Sequence, residues 1–193
     1  MEPKRERARP LSPEERRTAI ITATRPLLLE HGRRTTTRLV AEAAGIAEGT
    51  IFRVFPSKEE LFDAVLDAEF DPEPFLAAVA RIDPEDPLRE RLVAVTTLLQ
   101  RRFISIFQLM IALAVPKPPD RLRTHELRHR LATDGVISVL KADADRFRVP
   151  PEEVVRLLTF SASHPHISEG RPMKPADIVD VILHGTLAPG EDA

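Results

Sequence analysis

At 193 residues, 42% of them apolar, the chain is long enough to bury a real core in one or two small domains. It contains no Cys, which excludes disulfides and thiolate metal sites and fits a reducing compartment. The formal charge of −2 marks no partner, but its distribution is lopsided: residues 1–58 carry twelve Lys or Arg against seven Glu, and residues 59–193 carry sixteen against twenty-three acidic side chains.

In chain order, residues 1–10 form a basic arm with Lys4, Arg5, Arg7 and Arg9 and no apolar run resembling a signal peptide. Such an arm is either a solubilising disordered tail or a segment that follows phosphates or enters a minor groove. Ser12 caps a first helix, with Pro13 at its first position and Glu15 completing a capping box. Ile20, Ala23, Leu27 and Leu28 face inward, Gly32 ends the helix, and Pro26 predicts a kink because it crowds the carbonyl of Thr22.

Residues 35–61, TTTRLVAEAAGIAEGTIFRVFPSKEEL, are the most informative stretch. Leu39, Val40, Ala43 and Ala44 make a small apolar face, Gly45 stops that helix in a left-handed conformation, and Ile46, Ile51, Val54 and Phe55 restart the pattern. Pro56 ends it, and Ser57 with Glu60 forms a second capping box for a fourth helix reaching about Phe70. Two short helices joined by a tight Gly turn are the arrangement that lays one helix in a DNA major groove.

Beyond Asp71 the pattern stays helical. A short helix comes first, broken at Pro84, then one long or two abutting helices over residues 86–115 and a further helical stretch after a Pro cluster. A final pair follows, PEEVVRLLTFSAS and PADIVDVILHG, with Gly185 closing the last helix. No strand alternation, no solenoid repeat and no run of some 20 apolar residues is present, since residues 103–115 are too short and carry Gln108. The expectation is an all-α, non-membrane, cytoplasmic protein.

Thr36, Arg38, Val40, Ala41, Ala44, Gly45, Ile46, Gly49, Thr50, Ile51, Phe52, Phe55, Lys58 and Leu61 fall in register with one known pattern. By these residues the first third of the chain resembles the DNA-binding domain of TetR-family transcriptional regulators. Two positions depart from that pattern: Phe52 stands where Tyr is usual and Val54 where His or Tyr is common, each removing a group able to reach phosphate. The resemblance implies a basic arm (1–10), a three-helix helix-turn-helix domain (11–58), a helical effector-binding and dimerisation domain (59–188) and a flexible tail (189–193). The implied function is a ligand-responsive repressor, not an enzyme and needing no cofactor, acting as a homodimer on a palindromic double-stranded operator. Its small effector is expected to be hydrophobic.

The resemblance also implies roles. Thr37 would donate to phosphate and Arg38 would fork onto a guanine edge. Glu48 would accept from a cytosine amino group, Gly49 would permit close approach, and Thr50 would donate to phosphate. Phe52 would lie on a thymine methyl, Arg53 would reach base or backbone, and Lys58 would join the free donors of the fourth helix on a phosphate. Each of these is otherwise a solvated surface residue. Phe103, Phe107 and Met110 either line an effector pocket or are core. In the last helix pair Val154, Val155, Leu158, Ile178, Val179, Ile182 and Leu183 cover too much of each helix for one buried stripe, so they belong to a monomer core or to a four-helix dimer interface.

Two alternatives stand beside this reading. One is a dimeric helical small-molecule-binding protein that no longer reads DNA, favoured by the departures at Phe52 and Val54. The other is a zinc hydrolase, because His125-Glu126-Leu127-Arg128-His129 fits H-E-x-x-H, with Glu152 or Glu153 as a third ligand. The density of charge around that motif equally fits an exposed helix face.

Overall fold

Ser12 opens the first helix by a reciprocal pair of bonds: the Glu15 amide donates to Ser12 Oγ at 3.1 Å, and the Ser12 amide donates to Glu15 Oε2 at 2.7 Å. The structure, a computed structural model, describes residues 12–122, 130–163 and 173–186. The basic arm, the His125 to His129 motif and the final tail lie outside those residues. Every element described is helical, and among the described residues there is no strand. The described residues form two compact units, one of those up to Ala68 together with Ile111–Val115, the other of Glu69–Met110 together with those from Pro116 onward.

In the first unit, α1 (Pro13–His31) continues through Pro26, which lies on its exposed side. On that side the Thr22 carbonyl, which Pro26 cannot serve as a donor, stays within reach of water, so the helix need not break. Gly32 ends α1 at φ 58°, and its amide donates to the Leu28 carbonyl. A Cβ there would stand 2.7 Å from the Ala112 carbonyl oxygen, so both backbone conformation and space demand glycine. After a 3-10 turn (Gly32–Arg34), the fully buried Thr35 donates its hydroxyl to the Leu27 and Gly32 carbonyls at 3.0 and 2.9 Å.

Thr36 caps α2 (Thr37–Ala44) by accepting from the Leu39 amide at 3.3 Å. Gly45 then turns left-handed at φ 65°, and the Ile46 amide reaches back to the Ala41 carbonyl at 3.0 Å, as the sequence predicts. α3 (Glu48–Val54) and α4 (Lys58–Phe70) follow. Only half of the second capping box forms: the Glu60 amide donates to Ser57 Oγ at 3.1 Å, without the return bond from the carboxylate. α1 packs on α2 and α3, burying Ile20, Leu28, Val40, Ile51 and Phe55. Each such side chain contributes roughly 1.5–3 kcal/mol by leaving water. Leu61, Ala64 and Val65 of α4 are buried as well. The first unit therefore extends to Ala68, ten residues past the expected boundary at 58.

The second unit is built from α5 (Glu73–Val79), α6 (Leu88–Ala112), α7 (Pro151–Ser163) and α8 (Pro175–Thr186). Between α6 and α7 runs a wide π-wound segment (Leu131–Ile137) that passes through Ser138–Leu140 into a 3-10 stretch (Lys141–Arg146). α6 is a single continuous helix, and its length and a mean hydropathy of 1.2 over 18 residues meet the compositional test for crossing a membrane. It is nonetheless the spine of this core, burying Leu88, Leu92, Val95 and Leu99 while carrying Arg89, Arg91, Arg101 and Arg102. Gly185 does not close α8 as expected but sits inside its last turn; Arg148 holds that end by donating from its amide to the Thr186 carbonyl at 2.8 Å and from its side chain to the Gly185 carbonyl.

Arginines knit this unit together. Arg89 forks onto both oxygens of Asp180 at 2.7 and 2.9 Å, tying α6 to α8. Arg91, 6% exposed, donates to the Asp86 and Val139 carbonyls at 2.8 and 2.6 Å and to the carboxylate of Asp143, which Arg146 also holds at 2.8 Å. Burial works to raise the Asp143 carboxyl, but the hydrogen bonds from Arg146 and Arg91 outweigh it and hold it below the ordinary carboxylate range.

Candidate nucleic-acid interface and effector cavity

The Gly45 turn sets α3 against α2 with Ile51 inside, leaving the opposite side of both helices to solvent. Arg38, Glu48, Gly49, Phe52 and Arg53 are exposed; Thr37, Thr50 and Lys58 are partly so. Every residue expected to contact DNA therefore stands on the surface of the first unit. Phe52 keeps half of its area in water, an unusual placement for a large aromatic side chain. A Cβ on Gly49 would meet nothing within 4 Å, so packing within the chain does not require glycine there.

Two of these side chains are engaged differently from the expectation. The Thr37 hydroxyl donates to Glu48 Oε1 at 2.5 Å, joining the first turn of α2 to the first turn of α3 and committing that proton to the carboxylate rather than to a phosphate. Lys58 donates from Nζ to the Arg33 carbonyl at 2.9 Å and lies 5.2 Å from the centre of the Phe62 ring, so one of its three donors is spent inside the unit. Arg38 and Arg53 have no hydrogen-bond or ion-pair partner among the described residues.

The second unit has an open cleft of about 650 Å³ lined by Phe70, Leu99, Arg102, Phe103, Ile106, Pro118, Leu122, Leu131, Val155, Arg156, Thr159, Phe160 and Ser163. Of the three residues expected there, Phe103 lines it. Phe107 and Met110 do not, and Met110 is buried at 4% exposure. Sequence reasoning missed Arg102. The signal available was the polar triplet Gln100-Arg101-Arg102 set between the apolar Leu98-Leu99 and Phe103.

The seven residues considered for a dimer interface all belong to the core of the single chain: Val154, Val155, Leu158, Ile178, Val179, Ile182 and Leu183 are each buried within it. What α7 and α8 offer to solvent instead is Leu157, Phe160 and Val181, the last two about two-thirds exposed. Among the described residues no group of three His, Asp or Glu is placed to hold a metal ion.

Residues 20–65 match the family described as bacterial regulatory proteins, tetR family. No curated protein matches the chain. Its fold is similar to that of the superantigen PfiT, at 22% identity and a TM-score of 0.63, covering 94% of this chain and all of that one. It is also similar to the TetR transcriptional regulator SCO0520 from Streptomyces coelicolor, at 20% identity and a TM-score of 0.57, covering 90% and 99%. A third likeness is to NalD, the secondary repressor of the MexAB-OprM multidrug efflux pump in Pseudomonas aeruginosa, at 20% identity and a TM-score of 0.53, covering 91% and 99%. The architecture as a whole is thus the helical fold that these solved structures share. The family match itself lies within the first unit, over residues 20–65.

Proposed function

We propose that the chain is a cytoplasmic one-component transcriptional regulator, a repressor that binds a roughly palindromic operator as a homodimer and responds to a small hydrophobic effector. The observation that carries the DNA reading is the pair of exposed, unpartnered guanidinium groups, Arg38 and Arg53, on a helix-turn-helix of the matching family. Arg38 forks onto a guanine edge, Glu48 accepts from a cytosine amino group, and Phe52 lies on a thymine methyl. Gly49 lets the α3 backbone approach the duplex, while Thr50, Arg53 and Lys58 position it on phosphate. Thr37 acts by orienting Glu48.

The outward residues Leu157, Phe160 and Val181 meet their copies across a twofold axis, which sets two recognition helices about 34 Å apart. The effector enters the cavity of the second unit. α4 has Lys58 at one end and Phe70, a cavity residue, at the other, so it is the element through which an occupied cavity alters the reader. A coupling of about 1–3 kcal/mol suffices.

Retardation of the protein's own promoter fragment, titrated against salt, tests this reading. That fragment is expected to bind at least about tenfold more tightly than random DNA of equal length, with affinity falling as salt rises. Arg38→Ala should cost about 1–3 kcal/mol on the operator alone. Equal retardation of both fragments would favour the second reading, a helical binding protein without DNA readout, to which the missing hydroxyls at Phe52 and Val54 point.

A further inference from the structure

The walls of the cavity are apolar, but among the described residues its charges are of one sign: Arg102 and Arg156 line it, and no described Asp or Glu does. Along α7 the lining residues Arg156, Thr159, Phe160 and Ser163 recur at the three-to-four-residue spacing of one helix face, so Arg156, Thr159 and Ser163 place polar groups along an otherwise hydrocarbon wall.

Arg102 is the less satisfied of the two. Its terminal nitrogens donate to the Phe70 and Asp71 carbonyls at 2.6 and 2.7 Å, and no carboxylate lies in ion-pair contact with it among the described residues. Carbonyl oxygens satisfy hydrogen-bonding capacity but carry no net charge, and the remaining N–H donors of the guanidinium are unspent. Burial pulls the Arg102 pKa below its ordinary value, with Asp71 and Glu69 opposing that pull electrostatically. A guanidinium is always charged in proteins, so Arg102 is a cation without a contacting counter-ion among the described residues, at the edge of an apolar-walled cleft. Among the described residues Arg156 is tied to the neighbouring Glu153 alone, and its side chain is 72% exposed.

We propose that this cavity takes an amphipathic organic anion, a carboxylic acid with an apolar body, its head at Arg102 with Arg156 beside it and its body against Phe103, Ile106 and Leu131. The inference rests on the effector reading above and names the chemical class it requires. A neutral apolar occupant strips water from Arg102 without replacing the lost solvation, and a cation meets two like charges. A polyanion such as a nucleotide finds too few donors for its charge and too much hydrocarbon. A single carboxylate forks onto a guanidinium with matching geometry, and about 650 Å³ lies within the range of small-molecule sites.

The test compares three ligands with the same chain and different heads, dodecanoate, dodecanol and dodecylammonium, each titrated calorimetrically into the full chain below its micelle concentration. Dodecanoate should bind at least about tenfold more tightly than dodecanol, and dodecylammonium more weakly than either. Arg102→Gln should abolish the preference for the acid, Arg102→Lys should retain part of it, and Arg156→Gln should reduce it without altering the fold. Equal affinity for dodecanoate and dodecanol in the unaltered protein overturns the proposal, as does binding of none of the three. Retardation of the promoter fragment with each ligand present separates the two readings. Acid-selective binding that leaves DNA binding unchanged removes the effector role and keeps the ligand class. Release of DNA by the alcohol as readily as by the acid does the reverse.

Discussion

Arginine does opposite work in the two units. In the second unit Arg89 and Arg91 are spent inside the fold, Arg89 on Asp180 and Arg91 on Asp143 and two carbonyls. In the helix-turn-helix, Arg38 and Arg53 stand in water with no partner among the described residues. A guanidinium that is already satisfied has little left to offer a ligand, whereas one held on a helix surface without partners keeps its donors for a base or a phosphate. Stability and recognition should therefore separate by residue.

The largest expected effect is at Arg91. Replacing it by Ala strands a mostly buried Asp143 with one remaining cation and should lower stability by about 3 kcal/mol, seen as a shift of the urea midpoint. The loss should depend on pH with a definite sign. Because the Asp143 carboxyl is held below its ordinary value of 3.8, its contribution is present above that pH and disappears as pH falls through the lower folded value. The gap between the two proteins should narrow over that interval. A gap that widened there would assign the stabilisation to something other than this ion pair.

Two glycines of the first unit sharpen the contrast further. Gly32→Ala forces a Cβ into the Ala112 carbonyl at a positive φ and should cost about 1–3 kcal/mol, measured by chemical unfolding. Gly49→Ala should act in the other direction, since a Cβ there meets nothing and Ala favours helix by about 0.5–1 kcal/mol. The same change should weaken retardation of the promoter fragment, because the added methyl would occupy space the duplex needs. A more stable Gly49→Ala protein that still binds the fragment at full strength would remove Gly49 from the interface.

The features legible in the sequence are those decided locally. The Ser12 box, the Gly45 stop and the restart at Ile46 each depend on bonds within six residues, so residue type and spacing suffice. The packing of α7 and α8 was not legible in the same way. Val154, Leu158 and Ile182 read the same on a helix wheel whether their neighbour is α6 of the same chain or a second copy, and only the assembled core distinguishes them. Arg102 was hidden for a similar reason: its meaning comes from carbonyls about thirty residues away at the end of α4. Gly185, taken for a stop, lies inside a helix whose end Arg148 secures from a distant part of the chain.

On the proposed DNA-binding reading, the Thr37 to Glu48 hydrogen bond bears on how the helix-turn-helix can be retargeted. Randomising α3 alone would leave a threonine in α2 whose hydroxyl was oriented for an acceptor no longer there, and a new residue at 48 would lose its brace. Positions 37 and 48 behave as one variable, so a library that changes them together searches a smaller and more productive space than one that treats each helix as independent.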